Sequence, residues 1–261
     1  MQNQENLDAD GKLETTISIQ TPEFDNWENF GDDDIMQQKS AIFVQEAEKV
    51  PFVGDKEPLS YLAAEYKSGS PILLEKIKVL SDQYAAIRRT RGDGNCFFRS
   101  FMFSYLLFLE QLESALQGNE TSISHDELVL RSRDQSISDY VVMFFRFVSS
   151  GEIQKRSEFF EPFIMGLTNG TVDQFCKSAV EPMGEESDHV HIIALSDALG
   201  VPIRVIYLDR SSCDSGGVSV NHHDFVPAAS DVSSDGAGSE IKIPYITLLY
   251  RPGHYDILYP K

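Results

Sequence analysis

Cysteine is scarce in this chain. Three residues in 261, Cys96, Cys176 and Cys213, are too few and too scattered for a disulfide framework, so a reducing compartment is expected and one reactive thiol is easy to accommodate. Long apolar runs are missing too. None is long enough to span a bilayer, and no apolar stretch behind a basic one opens the sequence, so neither a membrane segment nor a signal peptide is expected. The reading is of a soluble protein of the cytoplasm, with the nucleus also open to it. Bases are in short supply: 22 Lys and Arg stand against 41 Asp and Glu, for a net charge of -19. Nucleic-acid affinity rests largely on neutralising phosphates. That activity is therefore not expected, and a basic or neutral protein partner, steered in by an acidic face, fits better. Regular metal-ligand spacing is also lacking. His189 and His191 with Asp188, or His222 and His223 with Cys213, do not follow the spacing of a zinc site, so no metal and no cofactor is expected.

What is present, 41% hydrophobic residues, suffices for one sizeable core. Residues 1–40 are acidic and polar, with Asp32-Asp33-Asp34, and read as a disordered tail in which Phe24, Trp27 and Phe30 leave room for a short docking motif. Residues 41–261 read as a single domain. Helical spacing runs over residues 40–50, 59–66 and 72–84, with Pro58 and Pro71 near the starts of the last two. Arg88, Arg89 and Arg91 then form a dense basic cluster, which suits either an exposed turn paired with local acids or a role in positioning the next loop. Further helices are expected over 97–112, 125–133, 137–148, 159–167 and 172–179, with a break at 118–122. Cys176 has no acid-base partner nearby in sequence and reads as a buried structural cysteine. Glu185-Glu186-Ser187-Asp188 is an acidic loop and N-cap for a helix over 189–199 that ends at Gly200. Strands follow at 201–208, 218–226, 245–251 and 255–259, with a flexible insertion at 228–239. Helices first and strands last give an α+β class with a small, mostly antiparallel sheet.

Chemistry concentrates where Arg91-Gly92-Asp93-Gly94-Asn95-Cys96 meets the long apolar helix. Gly92 and Gly94 allow positive φ or a close approach, and Asn95 is a good N-cap. Cys96 then sits on the first turn, where the positive end of the helix dipole favours thiolate. A cysteine nucleophile needs a base, and the base needs a group to orient it. His254 begins the last strand after the Pro252-Gly253 turn. Period-2 alternation puts Asp256 on the same face, with Tyr255 and Ile257 pointing the other way into the core. The carboxylate can then reach one ring nitrogen and leave the other for the thiol. Backbone N–H groups between Asp93 and Cys96, those of Gly94 and Asn95 among them, are candidates to meet an oxyanion. Asp93 suits a loop brace better than an acid-base role, because a carboxylate beside an oxyanion would repel it.

Two stretches carry a family resemblance. Asp93-Gly94-Asn95-Cys96-Phe97-Phe98-Arg99-Ser100 and Tyr250-Arg251-Pro252-Gly253-His254-Tyr255-Asp256-Ile257-Leu258-Tyr259 closely resemble the ovarian-tumour-domain (OTU) cysteine deubiquitinases, and within them the otubains. Residues 66–80 and 181–195 support it, and the resemblance extends over about residues 50–261. It implies a papain-like α+β fold, a helical lobe followed by the sheet. It also implies hydrolysis of the isopeptide bond between the ubiquitin C-terminus and a lysine, by thiolate attack and an acyl-enzyme. Residue by residue, it implies Cys96 as nucleophile, His254 as general base and then acid, Asp256 as orienting acid and Asp93 as the loop acid of the oxyanion site. Ubiquitin and polyubiquitin are the implied partners of a monomeric enzyme, with ubiquitin-conjugating enzymes as a further class. Ubiquitin's tail carries arginines, so Glu185, Glu186 and Asp188, with His191 beside them, are expected to face it. The chain departs from otubains in one place. Ser104-Tyr105-Leu106 runs straight into Leu107-Phe108-Leu109, where otubains carry further turns of helix. That omission is expected either to expose apolar faces or to fuse two helices. A weakly active variant acting as a ubiquitin- or conjugating-enzyme-binding regulator is the alternative function.

Overall fold

Six strands form one sheet: β1 (Val53–Pro58), β2 (Tyr84–Thr90), β3 (Ile203–Tyr207), β4 (Asn221–Phe225), β5 (Ile246–Arg251) and β6 (His254–Pro260), in the order β1-β2-β6-β5-β3-β4. The computed structural model describes residues 49–117, 123–211, 218–227 and 246–261; the acidic tail, most of the first expected helix, the break at 118–122, Cys213 and the insertion at 228–239 lie outside them. Neighbouring strands are antiparallel except β3 and β5, which run parallel from Ile203 opposite Ile246 to Tyr207 opposite Tyr250. The turn expected at Pro252-Gly253 joins β5 to β6, and Gly253 takes the positive φ of 76° that such a turn requires.

The helices follow their sequence signals closely. They are α1 (Leu59–Glu65), α2 (Pro71–Gln83), α3 (Cys96–Gln117), α4 (His125–Arg133), α5 (Gln135–Lys155), α6 (Ser157–Thr168), α7 (Val172–Phe175) continuing as a π-helical turn over Cys176–Val180, and α8 (His189–Leu199). Pro71 is the first residue of α2, and Gly200 closes α8 with φ 66°. Cys176 is fully buried in the π-helical turn, as a structural cysteine should be.

Adjacent residues along the inner strands face opposite sides, and both sides are covered. Val205, Leu248 and Ile257 pack with Phe97, Phe101, Phe145 and Leu195 from α3, α5 and α8. Ile206, Leu249 and Leu258 pack with Leu59, Leu62, Ile77 and Leu80 from α1 and α2. The sheet is therefore sandwiched, and any polar group on β6 must be satisfied within the protein.

Two features depart from the sequence reading. β1 and β2 precede the helical lobe, so the order is not helices first and strands last, and Arg88 and Arg89 lie in a strand instead of an exposed turn. Arg88 is buried, donating to Gly54 O at 2.6 Å and to Tyr259 Oη at 2.9 Å. Where the sequence reading placed an omission, after Leu106, the helix continues. α3 runs unbroken for 22 residues, and its far half leaves Leu109, Leu112 and Leu116 exposed. α5 likewise shows Tyr140, Phe144 and Phe147 to solvent while Val142 and Phe145 are buried.

Candidate active site

Cys96 opens α3 and is 5% exposed. The loop before it is held from several sides. Asp93 Oδ1 accepts the Asn95 N–H at 3.1 Å, and both carboxylate oxygens accept from the buried Arg99 guanidinium. Arg99 also donates to Ser138 Oγ at 3.1 Å and to Asp139 Oδ1 at 3.0 Å. Asp93 thus braces the loop against α5. Gly94 has φ 76°, and a Cβ there would lie 1.7 Å from the Gly184 carbonyl oxygen, so a side chain has no place to go.

Asn95 differs from its expected role twice. Its Oδ1, expected to cap α3, instead accepts from Arg146 Nη2 at 2.8 Å, Arg146 Nε at 3.2 Å and the Gly184 N–H at 3.0 Å. Its N–H, expected to serve an oxyanion, is already given to Asp93. A short polar side chain caps a helix only if nothing stronger competes, and a buried guanidinium is a stronger donor than a backbone amide.

His254 stands beside this loop from the other end of the domain. Its Nε2 lies 3.0 Å from Asp256 Oδ1. Its Nδ1 faces the loop, where a Cβ placed on Gly92 would come within 3.4 Å of it, and the Cys96 thiol lies near enough to act on the ring's charge. Burial alone would pull the His254 pKa down, but the hydrogen bond with Asp256 and the charges of Asp256 and Cys96 outweigh it and hold it up at about 9. Asp256 is fully buried. Its Oδ1 also accepts the Thr90 N–H at 3.1 Å, and its Oδ2 accepts Arg251 Nη2 at 2.6 Å, with Arg89 Nη1 3.9 Å away. Glu65 on α1 pairs with Arg89 at 2.5 Å and lies 3.7 Å from Arg251. Burial pushes the Asp256 carboxyl up, yet the His254 hydrogen bond and the Arg251 and Arg89 charges prevail and keep it below the usual carboxylate range. The arrangement is a thiol, an imidazole and an ionised carboxylate in series, the set a cysteine nucleophile needs.

The acidic segment splits into two kinds of residue. Glu185 and Glu186 are exposed, and a Cβ on Gly253 would sit 3.7 Å from Glu186 Oε1, which places Glu186 next to the turn that carries His254. Asp188 and His191, expected to face a substrate, are occupied otherwise. Asp188 caps α8 by accepting the Val190 N–H at 2.8 Å, and His191 completes a capping box through Nδ1. His191 is 1% exposed and its Nε2 lies 3.2 Å from Ala179 O, so it has no face to offer. Among the described residues no group of His, Cys, Asp and Glu has the geometry to hold a metal ion.

The sequence reading missed Arg99, Arg146, Arg251 and Gly184. Arg146 is fully buried and donates to Gly94 O at 3.1 Å, Val180 O at 3.0 Å and Glu185 O at 2.7 Å, besides Asn95. Burial draws its pKa down to about 10, opposed by the carboxylates of Glu185 and Asp93. A signal was there. Arg99 and Arg146 each interrupt an apolar helical run, Phe97-Phe98-Arg99 and Phe144-Phe145-Arg146-Phe147, and a charge in such a run implies buried partners.

Comparison with known proteins agrees with this geometry. The family model Peptidase C65 Otubain matches residues 45–110 and 106–260. The chain is similar to an ovarian tumor domain-containing deubiquitinating enzyme 1 of Arabidopsis thaliana, 59% identical over 302 residues covering 100% of this chain and 96% of that one. It is also similar to the human ubiquitin thioesterase OTUB1, 39% identical with 87% of this chain and 90% of that one covered. Among solved structures it resembles h/ceOTUB1 in its complex with ubiquitin aldehyde and UBC13~Ub, with a TM-score of 0.70, 30% identity and coverage of 88% of this chain and 98% of that one. The Arabidopsis alignment is 41 positions longer than this 261-residue chain, and the two family matches overlap at 106–110.

Proposed function

This chain belongs to the peptidase C65 otubain family and is a cysteine-type deubiquitinase, and from that premise we propose that it hydrolyses the isopeptide bond between the ubiquitin C-terminus and a substrate lysine through a Cys96 acyl-enzyme. The observation that carries this reading is the series Cys96 thiol, His254 imidazole and Asp256 carboxylate, closed by the 3.0 Å contact of His254 Nε2 with Asp256 Oδ1. His254 holds the thiol's proton as an imidazolium, as its raised pKa favours, and Cys96 Sγ attacks the terminal carbonyl of ubiquitin as the thiolate. The Cys96 N–H, which no helix or loop bond among the described residues directs elsewhere, is the foremost backbone donor of the Gly94–Cys96 stretch to meet the oxyanion, whereas the Asn95 N–H stays with Asp93 Oδ1. Collapse breaks the C–N bond, and His254 gives its proton to the departing lysine amine. Water, deprotonated by His254, then cleaves the thioester and returns the thiol. Asp256, fixed by Thr90 and Arg251, keeps the ring oriented throughout. Glu185 and Glu186 meet the basic tail of ubiquitin, whereas Asp188 and His191 hold the loop that presents them.

A ubiquitin probe with a C-terminal electrophile tests the reading. Labelling of the wild type that vanishes in Cys96→Ala is expected. The second reading, a regulator that binds ubiquitin and a ubiquitin-conjugating enzyme with little turnover, draws on the h/ceOTUB1 neighbour's complex with UBC13~Ub and on the sequence departure after Leu106. Tight ubiquitin binding without labelling would favour it.

A further inference from the structure

Among the described residues Arg146 is the buried charge with the most hydrogen bonds, and it takes no part in the proton transfers. Its guanidinium donates to Gly94 O, Asn95 Oδ1, Val180 O and Glu185 O, joining the cysteine loop, the end of the π-helical turn and the acidic segment in one node. All peptide bonds here are trans, so a carbonyl and the N–H of the same peptide point in opposite directions. With Gly94 O held by Arg146, the Asn95 N–H must face away from it, towards Asp93. Asn95 O accepts the Arg99 N–H at 2.9 Å as the first bond of α3, so the Cys96 N–H points out of the helix start. The Asn95 side chain is pinned between Arg146 and the Gly184 N–H.

We propose that Arg146 is a positioning residue that fixes the Gly94–Asn95 and Asn95–Cys96 peptides so that the Cys96 amide is presented to the oxyanion, and that locks them to the segment carrying Glu185. The inference rests on the proposed isopeptidase reading. Arg146 touches no reacting atom and acts only through the peptides it holds. Lysine keeps the charge but cannot serve four acceptors from a flat fork, so Arg146→Lys leaves the loop without its fixed orientation.

The test separates a reaction that forms an oxyanion from one that does not. Hydrolysis of a fluorogenic ubiquitin C-terminal amide needs the amides, whereas alkylation of Cys96 by iodoacetamide, measured against a Cys96→Ala background, needs only the thiol and His254. In Arg146→Lys, turnover is expected to fall about 10²-fold, the cost of losing one oxyanion donor, while the alkylation rate and its pH profile stay within about twofold of wild type. Turnover close to wild type, or turnover and alkylation falling together, overturns the role. If Arg146→Lys fails to melt cooperatively, Asn95→Ala carries the test by removing the acceptor that Arg146 holds, with the same split expected and the same two results overturning the role. A wild type that alkylates at Cys96 but never cleaves the amide sinks the isopeptidase reading itself, and with it this inference.

Discussion

His254 titrates near 6.5 in an unfolded chain and about 9 in the fold. A raised folded value means that the protonated form is favoured by folding. Its contribution to stability is whole below about 6.5 and is lost as pH rises through 9. The melting temperature of wild type minus that of His254→Gln should therefore shrink between those two values, and a gap that stays constant would contradict the assigned environment. Asp256→Asn keeps a hydrogen-bond acceptor for the ring but removes the charge. Turnover should drop by roughly 10²–10⁴-fold, and stability should fall as well because Arg251 and Arg89 lose the buried carboxylate they share. The residues of the thiol series were legible because each has a local signature: a Gly-Asp-Gly-Asn-Cys helix start and a His-x-Asp strand. Arg251 had no such signature, and Arg146 had only its place in an apolar run, which signals burial without naming the partners. Their partners are mostly backbone carbonyls or acids fixed by tertiary structure, which spacing along the chain does not reveal.

Among the elements, α5 has two faces that substitution can tell apart. Phe145 is packed against Phe101 and Tyr105 at centroid distances of 5.4 and 6.4 Å, whereas its neighbour Phe144 is 58% exposed. Phe145→Ala should cost about 3–5 kcal/mol, and Phe144→Ala should stay within about 0.5 kcal/mol, as read by urea denaturation. Comparable losses at both positions would mean that the outer face is covered in solution. Helices were legible from their 3.6-residue period and from Pro and Gly at their ends, and only α3 and α5 ran a full turn or more beyond one expected bound. β1 and β2 were not legible. Val-Gly-Asp-Lys-Glu-Pro is too polar to announce a strand, and in Tyr-Ala-Ala-Ile-Arg-Arg-Thr the arginines mimic a surface turn. Arg88 and Arg89 project to opposite sides of β2: Arg88 bonds Tyr259 on a strand some 170 residues away, and Arg89 pairs with Glu65 on α1 while its charge also lies 3.9 Å from Asp256.

For the whole molecule, the net charge of -19 makes encounter with a basic partner sensitive to salt. KM for a ubiquitin substrate should rise as ionic strength shortens the screening length to about 10 Å at 0.1 M, with kcat nearly unchanged. Glu185→Lys combined with Glu186→Lys should raise KM and flatten that salt dependence. Normal hydrolysis by the double variant would remove these acids from the substrate contact. The sheet order has a further consequence, for synthesis. β6 comes after the other five strands in the chain yet lies between β2 and β5, inside the sheet. Until it inserts, β2 and β5 present open edges to each other, and Cys96 has neither base nor orienting acid. A nascent chain in which α3 is already formed thus carries a thiol that is chemically idle, and becomes a hydrolase only when residues 254–260 emerge and close the sheet. The enzyme is switched on by the step that completes its fold.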